Sequence, residues 1–465
     1  MKTFKYVDAP AGSGKTYSLT RFAVEQARQH RKIVIAQPSK ELITQTRDDI
    51  AEIDPDVKVT AIFGDRGTKN VVLAITKHLT RATPQSGEVV LITHEGLKRL
   101  ETQGYRGGWQ LVVDEIPSVF DHKALTIKHT HGLVTPYLRL ESLAHGISAV
   151  EAVSNAAIDD LIAKADDDQN LETFTDVLKA VTDPNRLVCV IEAMWDQLLS
   201  GSAKQCDFFV IQKPEAYAGW ASVTFMGANA KHTEMMVIWP KLFDVAFDDH
   251  QELKSQLRYH QHANGHRLTL HYMFDDWSKS YADTSAAGKL VIMHVADAVK
   301  SLFNGETFLW GANKENEDLF DRSSFLPHLP HGLNNPAFSG CHNVALLSAT
   351  NRQTSAIKFL RLLDLSHDQI RATLAHQIAY QAAMRCSLRD PKAIEPVTIV
   401  VPAKATAQWI ADRFPGSSVQ LLETGLEGPN ATGRPTIGKN RMSPAEKQAR
   451  YRAKLKARAE LRDCR

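Results

Sequence analysis

The sequence predicts an α/β protein built from two parallel-sheet domains, with a mostly helical module inserted in the first and a basic helical tail at the end. Three observations predict it. A short strand at Phe4–Ala9 runs through a glycine-containing turn into an apolar-periodic run at Tyr17, Leu19, Phe22, Ala23 and Ala27. Buried-strand and helix patterns then alternate as far as Asp114, as in a sheet covered by helices on both faces. A second alternating series starts near Arg267.

The opening turn reads Ala9-Pro10-Ala11-Gly12-Ser13-Gly14-Lys15-Thr16. This is the P-loop spacing, with Ala9 where the pattern has its first glycine. Gly12 and Gly14 let backbone N–H groups, with that of Ser13 between them, curl round a polyphosphate. The helix N-terminus adds partial positive charge. Lys15 is placed to reach the β- and γ-phosphates, and the Thr16 hydroxyl to bind magnesium. ATP and Mg2+ are the expected ligands.

Further strands are expected at Lys32–Ala36, Val57–Phe63, Glu88–Thr93 and Gln110–Val113. Ligands of such sheets sit at the carboxyl ends of the strands, where Thr93, Asp114 and the P-loop all fall. Asp114-Glu115 after an apolar strand supplies the second half of a nucleotide site. Asp114 would hold the metal, and Glu115 would orient or deprotonate the attacking water.

In order, these segments resemble the first motor domain of superfamily-two, DEAD/DEAH-like helicases and translocases. Ala9–Thr16 resembles motif I, and Gln37-Pro38-Ser39-Lys40-Glu41-Leu42 resembles motif Ia. Ile92-Thr93-His94-Glu95 resembles motif Ib, and Asp114-Glu115-Ile116-Pro117 stands where Asp-Glu-Ala-Asp or Asp-Glu-x-His would be. The resemblance implies two RecA-like domains meeting over one ATP. It also implies nucleic-acid backbone contacts at Ser39, Thr93 and His94. No room precedes Phe4 for the adenine-reading segment of true DEAD-box proteins.

From 122 to 205 helices are expected at Leu140–Val153, Ala156–Lys164, Leu171–Val181 and Val188–Leu199. Such an insertion either guides a strand or serves as a packing subdomain. Residues 206–266 are expected to complete the first domain, with strands at Asp207–Ile211, Ala221–Met226 and Met235–Trp239. Gly227-Ala228-Asn229 resembles a divergent motif III. Asn264-Gly265 reads as an interdomain hairpin edged by His260, His262, His266 and His271, without the cysteines or spacing of a zinc site.

The second domain is expected over 267–424, with strands at Leu268–Met273, Lys289–His294, Thr307–Trp310, Asn343–Leu347 and Val397–Val401 and a helix at Ala403–Phe414. Ser348-Ala349-Thr350 has the letters of motif III, but too little chain follows it for a whole second motor domain. His331-Gly332-Leu333-Asn334 resembles motif V, which makes Asn334 a nucleic-acid contact. Tyr380–Arg389 resembles motif VI. Helical spacing there sets Gln381, Arg385 and Arg389 on one face, with arginine forks suited to phosphate.

The tail, 425–465, is a linker followed by a helix over Pro444–Leu461, capped by Ser443 with Glu446 at N3. From Asn430 onward eleven Lys/Arg face three Asp/Glu, a net +8, which leaves −6 for the rest of a chain whose net charge is +2. Such an arm suits a nucleic-acid backbone or an acidic protein partner, and it loosely resembles the endings of some phage- and plasmid-borne proteins. No apolar run is long enough for a membrane, no signal peptide precedes the first strand, and five scattered cysteines suggest reduced thiols in the cytoplasm. The expected function is ATP-driven movement along, or unwinding of, nucleic acid, DNA ahead of RNA. A nucleic-acid-stimulated ATPase that does not unwind, and a P-loop switch that binds no nucleic acid, are the alternatives.

Overall fold

The computed structural model describes residues 2–64, 70–82, 86–101, 104–326 and 336–429. The motif V segment with Asn334 and the basic tail lie outside the described residues. The chain divides into two units: Met1–His260 with Arg352–Leu374, and Gln261–Asn351 with Ala375–Arg465.

In the first unit, β1 (Lys2–Ala9), β2 (Lys32–Gln37), β3 (Val59–Ile62), β4 (Glu88–Thr93) and β5 (Gln110–Asp114) fall where the sequence predicts. Five strands follow: β6 (Phe120–Thr126), β7 (Leu138–Ala144), β8 (Ile147–Ala152), β9 (Arg186–Ile191) and β10 (Gln205–Gln212). The chain then returns through β11 (Ser222–Ala228) and β12 (Val245–Asp249). The main sheet is parallel, in the order β12-β1-β11-β5-β2-β4-β3. Its strands are apolar on both faces. Ile33 and Ile35 join Leu19 and Phe22 of the helix Lys15–Arg28, while Val34 and Ala36 join Ile75 and Trp239 on the other side. That two-sided burial is what a parallel sheet between helices demands.

The insertion is not the mostly helical module expected. It is a five-stranded antiparallel sheet, β6-β10-β9-β8-β7, carrying the helices Asn155–Lys164, Thr175–Thr182 and Glu192–Leu199. The expected helix over 140–153 is a hairpin. His145 and Gly146 take φ of 56° and 77°, the paired positive values of a tight two-residue turn. Alternate residues of β10 face opposite ways: Phe208 and Val210 pack on the insertion's own helices, Phe209 and Ile211 on Phe359 and Leu360. β10, expected to complete the main sheet, belongs to this one, and the strand expected at Met235–Trp239 lies inside the helix Glu234–Phe243. Segment 352–374, expected in the second domain, packs on the first unit through Phe359, Leu360 and Ile370.

The second unit holds β13 (Leu268–Tyr272), a small hairpin of β14 (Ser285–Ala286) and β15 (Lys289–Leu290), then β16 (Phe308–Gly311), β17 (Asn343–Leu346), β18 (Val397–Val400) and β19 (Ser418–Leu421). Its main sheet is parallel, in the order β16-β17-β18-β13-β19. Most of the strand expected at Lys289–His294 is the start of the helix Val291–Phe303. The expected histidine hairpin is absent. Asn264-Gly265 opens a tight helical turn against Phe414 and Pro415, where a Cβ on Gly265 would meet carbonyl oxygens at 2.2 and 2.4 Å. His262 is buried, stacked on Phe414 at 4.0 Å and hydrogen-bonded to the Tyr380 hydroxyl. Both units are thus α/β with parallel sheets, as RecA-like domains are.

Candidate nucleotide site

The carboxyl ends of β1, β11 and β5 lie side by side in the first unit. β1 ends in the P-loop, where Gly12 and Gly14 take φ of 81° and 84°, values that favour glycine. Ser13 N donates to Pro10 O at 3.2 Å to close the turn. Ser13 is fully buried and its hydroxyl has no hydrogen-bond partner, a spare polar atom inside the cradle. Gly14 caps the helix Lys15–Arg28 through its backbone alone, which leaves the first N–H groups for an anion.

β11 ends in Gly227-Ala228, followed by Asn229 at φ 51°. Ala230 N donates to Asp8 Oδ1 at 2.7 Å, so this turn is tied to the strand that feeds the P-loop. The segment expected as motif III therefore stands between the P-loop strand and Asp114. Ser348-Ala349-Thr350 follows β17 in the second unit, where Asn313 clamps Ala349 through both its N and its O.

β5 delivers Asp114, which is 2% exposed. Its carboxyl is pushed up to about 6, first by burial and then by the neighbouring Glu115 carboxylate, while the Gln37 amide and Lys15 pull the other way. Glu115 takes φ 69°, a left-handed conformation costing roughly 1–2 kcal/mol for a residue with a side chain. Gln37 ends β2 and is fully buried. It donates from Nε2 to Asp114 at 3.1 Å and to the Thr46 hydroxyl at 2.9 Å.

The three residues expected to touch a nucleic-acid backbone hold helix starts and strand ends. Ser39 Oγ accepts from Leu42 N and Thr93 Oγ1 from Gly96 N, both as helix caps. His94 turns inward, its Nε2 on the Asp114 carbonyl at 2.9 Å. Burial holds its imidazole below the ordinary range, partly opposed by the Asp114 and Ala36 carbonyls. His94 therefore positions the Asp114 strand end.

In the second unit Gln381, Arg385 and Arg389 do not share one helical face. The helix Gln377–Ala383 stops before Arg385, and Arg389 closes a separate short turn, Ser387–Arg389. The break follows from what holds the segment. Asn264 donates to Leu388 O at 2.8 Å, Arg267 donates to Asp390 O at 3.2 Å, and His342 meets the Ser387 hydroxyl at 2.7 Å. Asn264, Arg267 and His342 precede β13 and β17, so Arg389 stands by the amino-terminal edge of that sheet, opposite the edge that takes ligands.

Residues 4–137 match the family described as DEAD/DEAH box helicase. That match covers 134 of the 465 residues. It takes in the P-loop, Gln37 and the Asp114-Glu115 pair. A DNA double-strand break repair protein, Mre11 of Sulfurisphaera tokodaii, is 36% identical over 70 residues, 15% of this chain. The chain spans 18% of that relative's length. Two solved structures are similar over 90% of this chain at a TM-score of 0.47. One is an XPD helicase, 10% identical over 96% of its own chain, and the other is S. tokodaii Xpd4, 12% identical over 95%. S. cerevisiae Dbp5 bound to RNA is 10% identical, over 91% of this chain and 85% of its own, at a TM-score of 0.37. Asp8, which no motif flags, ties the Gly227–Asn229 turn to β1, and Gln37, at the head of the motif Ia segment, holds Asp114. Gln37 carried a signal, as a polar residue closing an apolar strand, but Asp8 carried none.

Among the described residues no group of His, Cys, Asp or Glu is arranged to hold a metal by itself, and no helix is long and apolar enough to cross a membrane. A nucleotide-borne magnesium needs less. Thr16 and the buried Asp114, with the polyphosphate and water, fit such an ion.

Proposed function

We propose that the protein is an ATP-dependent helicase or translocase acting on nucleic acid. The observation that carries this reading is the strand order β1-β11-β5, which sets the P-loop, the Gly227–Asn229 turn and Asp114-Glu115 in a row along the carboxyl end of one parallel sheet. The backbone N–H groups of Gly12 to Thr16 bind the polyphosphate, and Lys15 neutralises its β- and γ-oxygens. Thr16 and Asp114 would hold magnesium, whose charge would offset that developing on the phosphates. Glu115 orients a water for in-line attack and takes its proton. Asn229 and Ala230, tied to Asp8, are placed to report the state of the site to the rest of the first unit. Gln381 and Arg385 remain the second unit's candidates for the phosphates; Arg389 does not.

The polymer is a nucleic acid bound mainly through its backbone, DNA ahead of RNA, with the basic tail as an added contact or a dock for an acidic protein. The test is ATPase rate against single- and double-stranded DNA and RNA, beside a strand-displacement assay. Stimulation with displacement supports the reading. Stimulation without displacement leaves a translocase that does not unwind. A turnover indifferent to every polynucleotide overturns it in favour of a P-loop switch.

A further inference from the structure

The segment after β12 is strapped across the mouth of the P-loop. Ser18 Oγ donates to Leu253 O at 2.6 Å, Arg258 N donates to Ser13 O at 2.9 Å, and the Tyr259 hydroxyl donates to Ala11 O at 3.0 Å. Leu253 and Leu257 are buried in the same core as Leu19 and Phe22. The strap brings the Arg258 side chain against the cradle: a Cβ built on Gly14 would lie 3.0 Å from its Cγ and 3.1 Å from its Cδ. The guanidinium carbon then rests 4.8 Å from the centre of the Tyr17 ring, and that of Arg21 lies 4.4 Å from the same centre. Tyr17 is 38% exposed and Arg258 is exposed. Among the described residues neither guanidinium has a carboxylate partner.

Two guanidiniums thus stack on one exposed ring, Arg21 as its i,i+4 helix neighbour and Arg258 from the strap, neither with a carboxylate partner among the described residues. The ring stands one residue past Thr16, where a nucleotide whose β- and γ-phosphates fill the cradle must send its sugar and base outward. We infer that Tyr17 and Arg258 form the nucleobase platform of the site, the base stacking on a guanidinium already held by the ring. This rests on the nucleotide reading given above and deepens it. Guanidinium planes and aromatic rings stack on any base and read no base edge. The platform therefore binds purine nucleotides with little preference between them, and it holds the nucleoside part apart from the phosphates.

The experiment compares ADP with pyrophosphate as ligands of the full chain, by calorimetry in magnesium buffer. Tyr17→Ala and Arg258→Ala should each weaken ADP about five- to thirty-fold and leave pyrophosphate within about two-fold. Tyr17→Phe should bind ADP as the wild type does, which separates the ring from the hydroxyl. Arg258→Lys keeps the charge and loses the plane, so it should be nearly as weak as Arg258→Ala. Retention of wild-type ADP affinity in Arg258→Lys, or equal weakening of ADP and pyrophosphate, overturns the platform and makes Arg258 a phosphate contact. Lys15→Ala should lose both ligands. If the wild type binds neither, the nucleotide reading fails with it; if it binds both equally, only the platform fails.

Discussion

Gln37 Nε2 donates to Asp114 Oδ2 at 3.1 Å, inside a sheet edge where neither side chain has water to fall back on. That bond is one of the few influences favouring the charged form of a carboxyl otherwise pushed up to about 6 by burial and by Glu115. On the proposed reading Asp114 holds magnesium, which it does only when ionised. Turnover should therefore fall as pH drops through about 6, and Gln37→Leu should move that limb upward by about one pH unit. A pH–rate profile at sub-saturating magnesium, where proton and metal compete for the carboxyl, checks both.

The same carboxyl makes a stability prediction of opposite sense. Its folded value lies above its ordinary 3.8, so the folded state holds the proton more tightly than the unfolded chain does. The contribution is fully present below about 4 and is lost as pH rises through about 6. Asp114→Asn should therefore stabilise the first unit at pH 7.5, by an amount on the order of 1–3 kcal/mol, and gain nothing at pH 3.5. Denaturant melts at the two values measure it. The same variant should lose magnesium-dependent turnover.

Glu115 is a strained residue, at φ 69°, in the place proposed for the residue that orients the attacking water. Glu115→Gln should keep nucleotide bound and lower turnover by about a hundred-fold or more. Glu115→Gly removes the cost of φ 69° and should raise stability by about 1 kcal/mol while abolishing turnover equally. Single-turnover ATP hydrolysis beside thermal melts separates the two effects. Fast turnover in either variant removes Glu115 from its role.

The first sixteen residues and Asp114-Glu115 were legible because their chemistry is local: a strand, a turn needing glycine, a helix start, and an acidic pair after an apolar strand. The place of Gly227–Asn229 was legible from the same logic. The insertion was not, because β9 and β10 are buried on both faces and lose the alternation that marks a half-buried strand. The clue that survived, positive φ at His145-Gly146, is weak in letters because histidine rarely leads such a turn. The motif VI spacing misled because Arg267 and Asn264, remote in sequence, hold the segment's carbonyls and end the helix early. Arg258 reaches Gly14 only through the fold.

Arg352 should be a stability hot spot in the first unit. Its guanidinium donates to Glu234 at 2.5 Å and to the Thr373 hydroxyl at 3.0 Å, and the side chains of Arg352 and Glu234 are each 9% exposed. Glu234 also accepts from Ser118, in the loop that follows Asp114-Glu115. Arg352→Ala leaves a buried carboxylate without its cation and should cost roughly 3–5 kcal/mol. Arg352→Met with Glu234→Gln should recover much of that. If the single variant melts like the wild type, segment 352–374 is not held to the first unit by this pair.

The cysteines should divide sharply by reactivity. Burial pushes the thiols of Cys189, Cys206 and Cys386 up to about 12, with Asp207 adding to the effect at Cys206. At pH 8 such a thiol is ionised in about one molecule in ten thousand, and each is also walled in by its core. Cys341 is only half-buried, its Sγ near the Thr307 carbonyl at 3.5 Å. An aromatic disulfide reagent on the native chain should therefore modify Cys341 and reach Cys189, Cys206 and Cys386 only after denaturation. Cys341→Ser should remove one fast equivalent and no slow one. Rapid modification of Cys189 or Cys206 in native buffer would mean that the insertion's sheet opens in solution, which its two-sided core argues against.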